Sequence, residues 1–110
     1  MKSFKLRSRQ WLINEKGNII MGEGRMEILE NIEKTGSINQ TAKLMKMSYK
    51  GVWSKIKATE NGLNRRLIQT DKRRGSCLTA EGKDLLRKYI LLKQRCLEAD
   101  EQIFHNIFHP

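Results

Sequence analysis

The stretch Gly36 to Lys57, GSINQTAKLMKMSYKGVWSKIK, constrains this chain more than any other. Ser37 is followed three residues later by Gln40, a capping box in which each side chain can satisfy the other's free backbone donor. Ile38, Ala42 and Met45 then fall at i, i+4 and i+7, one apolar stripe of a short helix. Ser48 offers a second helix start, so Lys46 and Met47 form the turn between them. In the second helix Val52 and Ile56 are the expected buried pair. Tyr49, Lys50, Trp53, Ser54 and Lys57 take the opposite side. Five lysines and no acid occur between Gly36 and Lys57. A major groove about 12 Å wide admits one such helix, which reads base edges with its N-terminal residues while its partner crosses the backbone. A plain αα-hairpin with solvated lysines fits the same spacing.

Charge favours the first of these. The 110 residues carry a net charge of +10, which points to a polyanionic partner. That charge is uneven. Residues 1–79 hold 17 Lys and Arg against 7 Asp and Glu, a balance of +10, whereas residues 80–110 hold five of each. No apolar run approaches the roughly 20 residues needed to span a bilayer, and the N-terminus lacks the apolar core of a signal peptide, so a soluble cytoplasmic protein with no membrane partner is expected. Two cysteines nineteen residues apart, Cys77 and Cys96, are too few for a disulfide framework and lack zinc-site spacing; both are expected as small buried apolar residues.

Around the central stretch the chain divides into short elements. Phe4 to Ile13 alternates about Phe4, Leu6 and Trp11, and the polar run Asn14–Asn18 leads to Ile19, Ile20 and Met21, which predicts an N-terminal β-hairpin. Gly22 and Gly24 should end it. Met26, Leu29 and Ile32 mark a helix whose other face carries Glu23, Glu27, Glu30 and Glu33, with Gly36 as its left-handed C-cap. Asn61 and Gly62 should stop the basic helix. Leu63 to Thr70, the run Asp71-Lys72-Arg73-Arg74-Gly75-Ser76, and Cys77-Leu78 then predict two short strands around a basic tip, a wing whose arginines could meet phosphates or a minor groove. A solvated charged loop is the alternative there.

Thr79 caps a final long helix. Leu85, Tyr89, Leu92, Cys96, Ala99 and Ile103 step alternately by four and three, the seam of a coiled coil, beside a second stripe of Leu86, Ile90, Leu97 and Phe104. Two stripes predict two partners, the winged-helix body and a second copy, although one broad core face would use the same residues. A unit over residues 1–79 with a dimerisation helix over 80–110 is the resulting layout.

The run from Gly22 to about Leu86 resembles the N-terminal DNA-binding domain of the ModE regulators, which respond to molybdate, and more distantly the LysR-type regulators. The matching residues are Ser37, Ala42, Ser48, Tyr49, Lys50 and Trp53 within GSINQTAKLMKMSYKGVWSKI, and the LTAEG run from Leu78 to Gly82. The resemblance implies a mainly α (α+β) winged helix-turn-helix, a dimer built through the last helix, and binding to double-stranded operator DNA, palindromic for a two-fold dimer. Ser37, Asn39, Ser48, Tyr49, Lys50, Trp53, Ser54 and Lys57, with Lys72, Arg73 and Arg74 of the wing, are then the expected DNA-binding residues. ModE-type proteins continue into oxyanion-binding domains, and the thirty or so residues after the wing look committed to packing. No oxyanion binding is therefore expected, and no metal or cofactor. His105 and His109 lie at i, i+4, but two ligands make a weak metal site. No base is placed beside a thiol, so an enzyme is not expected. A winged helix used for protein interaction or non-specific nucleic-acid binding is the competing class.

Overall fold

The computed structural model describes residues 3–109. In chain order the elements are β1 (Leu12–Ile13), β2 (Ile19–Met21), α1 (Glu23–Thr35), α2 (Ile38–Leu44), α3 (Tyr49–Leu63), β3 (Ile68–Asp71), β4 (Gly75–Leu78) and α4 (Ala80–Phe108). α1, α2 and α3 enclose the core with β2 and the base of the β3–β4 hairpin. Met21, Ile32, Val52, Leu67, Leu86 and Tyr89 are among its most completely buried members. The result is a winged helix with a second, shorter hairpin at the N-terminal side and a long helix at the end.

Local signals account for most boundaries. Ser37, Ser48 and Thr79 each accept a hydrogen bond from the backbone N–H three residues on, those of Gln40, Gly51 and Gly82. Gly36 closes α1 at φ 70°, a left-handed conformation that costs glycine nothing, and its N–H donates to Ile32 O. Half of the expected capping box is present. The N–H of Ser37 donates not to Gln40 but to Thr35 Oγ1 at 3.2 Å, because the threonine is already held beside it by Asn31 O.

Three boundaries differ from the sequence reading. The N-terminal hairpin is much shorter than Phe4–Ile13 suggests: only Leu12 and Ile13 pair with β2, while residues 3–11 run without strand pairing. Their alternating apolar side chains meet a helix instead. Phe4 packs edge-on against Phe104 and Phe108 of α4, with centroids at 5.7 and 5.1 Å, and Gln10 O accepts the Tyr89 hydroxyl at 2.7 Å. Gly24 does not break structure but lies in the first turn of α1. Likewise α3 passes through Asn61 and Gly62 and ends at Leu63, capped by Asn64 at φ 55°. Gly62 serves a contact, since a Cβ there would lie 2.6 Å from Ile20 Cδ1 of the adjoining hairpin.

Of the 29 residues of α4, about 43 Å at 1.5 Å per residue, only the first turns meet the body. Leu86 and Tyr89 are buried there, and the acidic face of α1 is drawn onto the same helix by Glu33–Arg87 at 3.4 Å and Glu23–Lys93 at 3.2 Å. Burial raises the Tyr89 hydroxyl above its ordinary pKa, and nearby Glu23 adds to this against an opposing effect of Lys93. Tyr89 was expected on the seam between two copies; its ring is 1 % exposed within a single chain, so it belongs to the core. Cys77 departs in the other direction, being exposed on β4, and Cys96 is half-buried. Alternation along β4 decides this: Ser76 and Leu78 face inward, so Cys77 faces out.

Candidate nucleic-acid interface

α3 is positioned from both ends. Val52 and Ile56 hold it to the core, and Thr59 ties its middle to the first hairpin by donating to Ile20 O at 2.9 Å. Near its C-terminal end Glu60, 6 % exposed, accepts from Leu67 N at 2.8 Å and Ile68 N at 3.3 Å. These are the backbone donors at the start of the wing, so one carboxylate fixes the angle between helix and wing. Burial alone would raise the Glu60 carboxyl; the Leu67 N–H, Lys57 at 3.1 Å and the Ile68 N–H outweigh it, and the pKa is lowered. Sequence reading did not single out Glu60. A lone acid within a stretch otherwise rich in lysine was the available signal, and its partners lie beyond the helix end.

The expected DNA-facing residues fall into three groups. Asn39, Tyr49, Lys50 and Ser54 are exposed, the last three within the first turns of α3. Lys72, Arg73 and Arg74 are exposed at the tip of the β3–β4 hairpin, where Arg73 N donates to Asp71 Oδ1 at 2.8 Å and shapes the turn. Ser37 and Ser48 are engaged as caps through their hydroxyls. Trp53 and Lys57 are the exceptions. Trp53 packs partly against the core, and Lys57 Nζ lies 4.6 Å from its ring centroid while pairing with Glu60. Their position one turn apart on the inner edge of α3 makes them a brace for the helix, with Lys57 still 40 % exposed on its outer side.

The wing is a regular antiparallel pair, from Ile68 opposite Leu78 to Asp71 opposite Gly75. Ser76 N donates to Gly36 O at 2.8 Å, anchoring β4 to the junction of α1 and α2. Both the wing and the helix-turn-helix are therefore fastened to the same glycine. Two cationic projections, the start of α3 and the wing tip, stand on one rigid frame. Two such projections suit a polyanionic partner.

Of the seam residues on α4, Leu92 is 37 % and Ile103 55 % exposed, Ala99 is exposed, and Leu85 and Cys96 are half-buried. Ile90, Leu91, Leu97 and Ile107 add further exposed apolar surface. No helix among the described residues is long and apolar enough to cross a membrane.

Comparison with known proteins agrees with this architecture. Residues 24–83 match the family described as bacterial regulatory helix-turn-helix protein, lysR family. The chain is 34% identical over 85 residues to the transcriptional regulator ModE of Haemophilus influenzae, covering 74% of this chain and 32% of that protein. It thus spans about a third of that relative. Among solved structures, CbnR, a LysR family transcriptional regulator, is similar with a TM-score of 0.62 at 19% identity, over 77% of this chain and 29% of CbnR. VV2_1132, another LysR family transcriptional regulator, is similar with a TM-score of 0.60 at 15% identity, over 79% of this chain and 30% of that one. At these identities the structures speak for the fold, and the family match covers more than half of the chain. That family match places this chain in the lysR family of bacterial regulatory helix-turn-helix proteins.

Proposed function

We propose that this chain acts as a cytoplasmic, sequence-specific DNA-binding transcription regulator that recognises its operator as a homodimer. The observation that carries this reading is the joint exposure of Tyr49, Lys50 and Ser54 at the start of α3 and of Lys72, Arg73 and Arg74 at the wing tip, on a chain of the lysR family. In this reading α3 enters the major groove. Lys50 donates to a guanine edge, Tyr49 and Ser54 flank it, and the wing cations neutralise phosphates. Asn39 and the first turn of α2 lie on the backbone.

Selection of bound sequences from a random DNA pool tests the assignment directly. A defined site should emerge, and Lys50→Ala should relax preference at one base position by about 1–3 kcal/mol. Uniform weakening across all sequences would instead make Lys50 a phosphate contact. Failure of any site to emerge would argue for non-specific binding.

The homodimer rests on α4. From Leu92 onward it carries exposed Leu92, Ala99, Ile103 and Ile107, a stripe that small soluble monomers seldom leave uncovered. A two-fold axis there would set two α3 helices on half-sites about 34–36 Å apart, and the operator would be palindromic. Sedimentation at micromolar concentration should give a dimer for the natural chain and a monomer for Leu92→Asp combined with Ile103→Asp. A natural chain that sediments as a monomer refutes this part.

A further inference from the structure

Beside α3, bordered by no residue of the wing, lies a cavity of about 370 Å³. The N-terminal segment, the first turn of α1, the helix-turn-helix turn and Lys55 of α3 border it, and one side is open to solvent. We propose that this cavity is a binding site for a small aromatic anion bearing a hydrogen-bond donor, a role that goes beyond DNA binding and does not rest on it.

Three observations meet at this place. First, its walls are apolar where a ring would lie: Trp11, Met45 and Met47 line it. Met45 and Met47 are half-buried against the core, and Trp11 lies over the backbone of Gly22. Flexible thioethers opposite an indole suit a planar guest. Second, Arg25 is a guanidinium without an acid. It donates to Ile19 O and, at 2.9 Å, to Thr59 Oγ1, yet it forms no ion pair among the described residues, and burial lowers its pKa. Glu23, the acid lining the cavity, is paired with Lys93. A part-buried cation with neutral partners retains its attraction for an anion, and Arg9 and Lys55 add two further positive charges to the lining. Third, Gln10 Oε1 is buried and accepts no hydrogen bond, although Gln10 lines the same cavity. A buried acceptor without a donor is rare enough to need an explanation. A guest that draws the Gln10 carboxamide round toward the cavity would supply the missing O–H or N–H while its carboxylate meets Arg25.

The DNA backbone could reach this flank as well, because Lys55 belongs to α3. A phosphate strand, however, gains nothing from a wall of Trp11, Met45 and Met47, and it carries no donor for Gln10. The apolar lining therefore favours a small molecule.

The test uses the full chain, 4-hydroxybenzoate as ligand, and the indole N–H resonance of Trp11 as the readout. A saturable shift is expected with a dissociation constant on the order of 10⁻⁴ M, ordinary for ten heavy atoms. Benzoate, which lacks the hydroxyl, should bind about 3–10-fold more weakly, and the uncharged 4-hydroxybenzyl alcohol more than about 10-fold more weakly. Gly24→Leu supplies a blocking variant: Gly24 lines the cavity, a Cβ there meets nothing within 4 Å, and leucine is the better helix former. It should abolish the shift while leaving the melting temperature unchanged or raised. No saturation by about 10 mM, undiminished binding to Gly24→Leu, or equal binding of the alcohol would each overturn the proposal. So would unchanged ligand affinity in Gly24→Leu and Arg25→Lys together with a flattened salt dependence of DNA binding, which would give the groove to the backbone.

Discussion

Gly82→Ala is expected to destabilise this protein by about 3 kcal/mol, at the upper end of the range for overpacking a core site. Gly82 is buried in the first turn of α4, against the start of the wing. A Cβ there would fall inside the envelope of the Leu67 carbonyl oxygen, 3.2 Å from its carbon and 3.4 Å from Cα. Those are backbone atoms and cannot swing aside. They are also held in place, since Leu67 O accepts from Thr79 N at 2.9 Å and Arg66 O accepts from Thr79 Oγ1 at 2.6 Å. Alanine would ordinarily improve a helix by about 1 kcal/mol over glycine, so a clear loss isolates the contact. Urea denaturation followed by circular dichroism measures it. A neutral or stabilising result would mean that α4 can lift off the wing at little cost.

Glu60→Ala should cost about 3 kcal/mol, for a different reason: it strands two buried backbone donors, at roughly 1–3 kcal/mol each with partial relaxation. The N–H groups of Leu67 and Ile68 have this carboxylate as their partner, and Lys57 would lose its counter-charge. Glu60→Gln keeps one acceptor oxygen and should lose about half as much. The two variants also differ from the natural chain in acid. Because the folded pKa of Glu60 is lowered from 4.5, its ionised form stabilises the fold at pH above that value, and the contribution is lost as pH falls through the folded pKa. Stability curves of natural and Gln forms should therefore converge as pH falls below 4.5 and through the lowered folded pKa. Curves that stay parallel throughout the acid range would show that the charge of Glu60 is not linked to folding. In either variant DNA affinity should fall with the wing's orientation, a second readout of the same bond.

Both positions lay outside what could be read from the chain alone. Gly82 stands in an LTAEG run that matches a family pattern, but the pattern does not say which backbone presses on it. Glu60 looks like one acid on a basic helix until the wing folds back over it.

The division is physical. Caps at Ser37, Ser48 and Thr79, the left-handed close at Gly36, the apolar spacing of Ile38, Ala42, Val52 and Ile56, and the turn at the wing all act over three or four residues, so the sequence by itself determined them. Contacts between distant residues had no such local code. The tertiary structure alone decided that residues 3–11 lie along α4 through Phe4 rather than pairing as a strand, and that Gly62 admits Ile20 instead of ending a helix. It likewise decided that Tyr89 is buried by its own chain and that Trp53 leans into the core beneath Lys57. Periodicity identifies an apolar face without naming what covers it. On α4 three claimants compete for adjoining stripes, the winged-helix body, the N-terminal segment and the proposed second copy, and only their packing shows which residues each one takes.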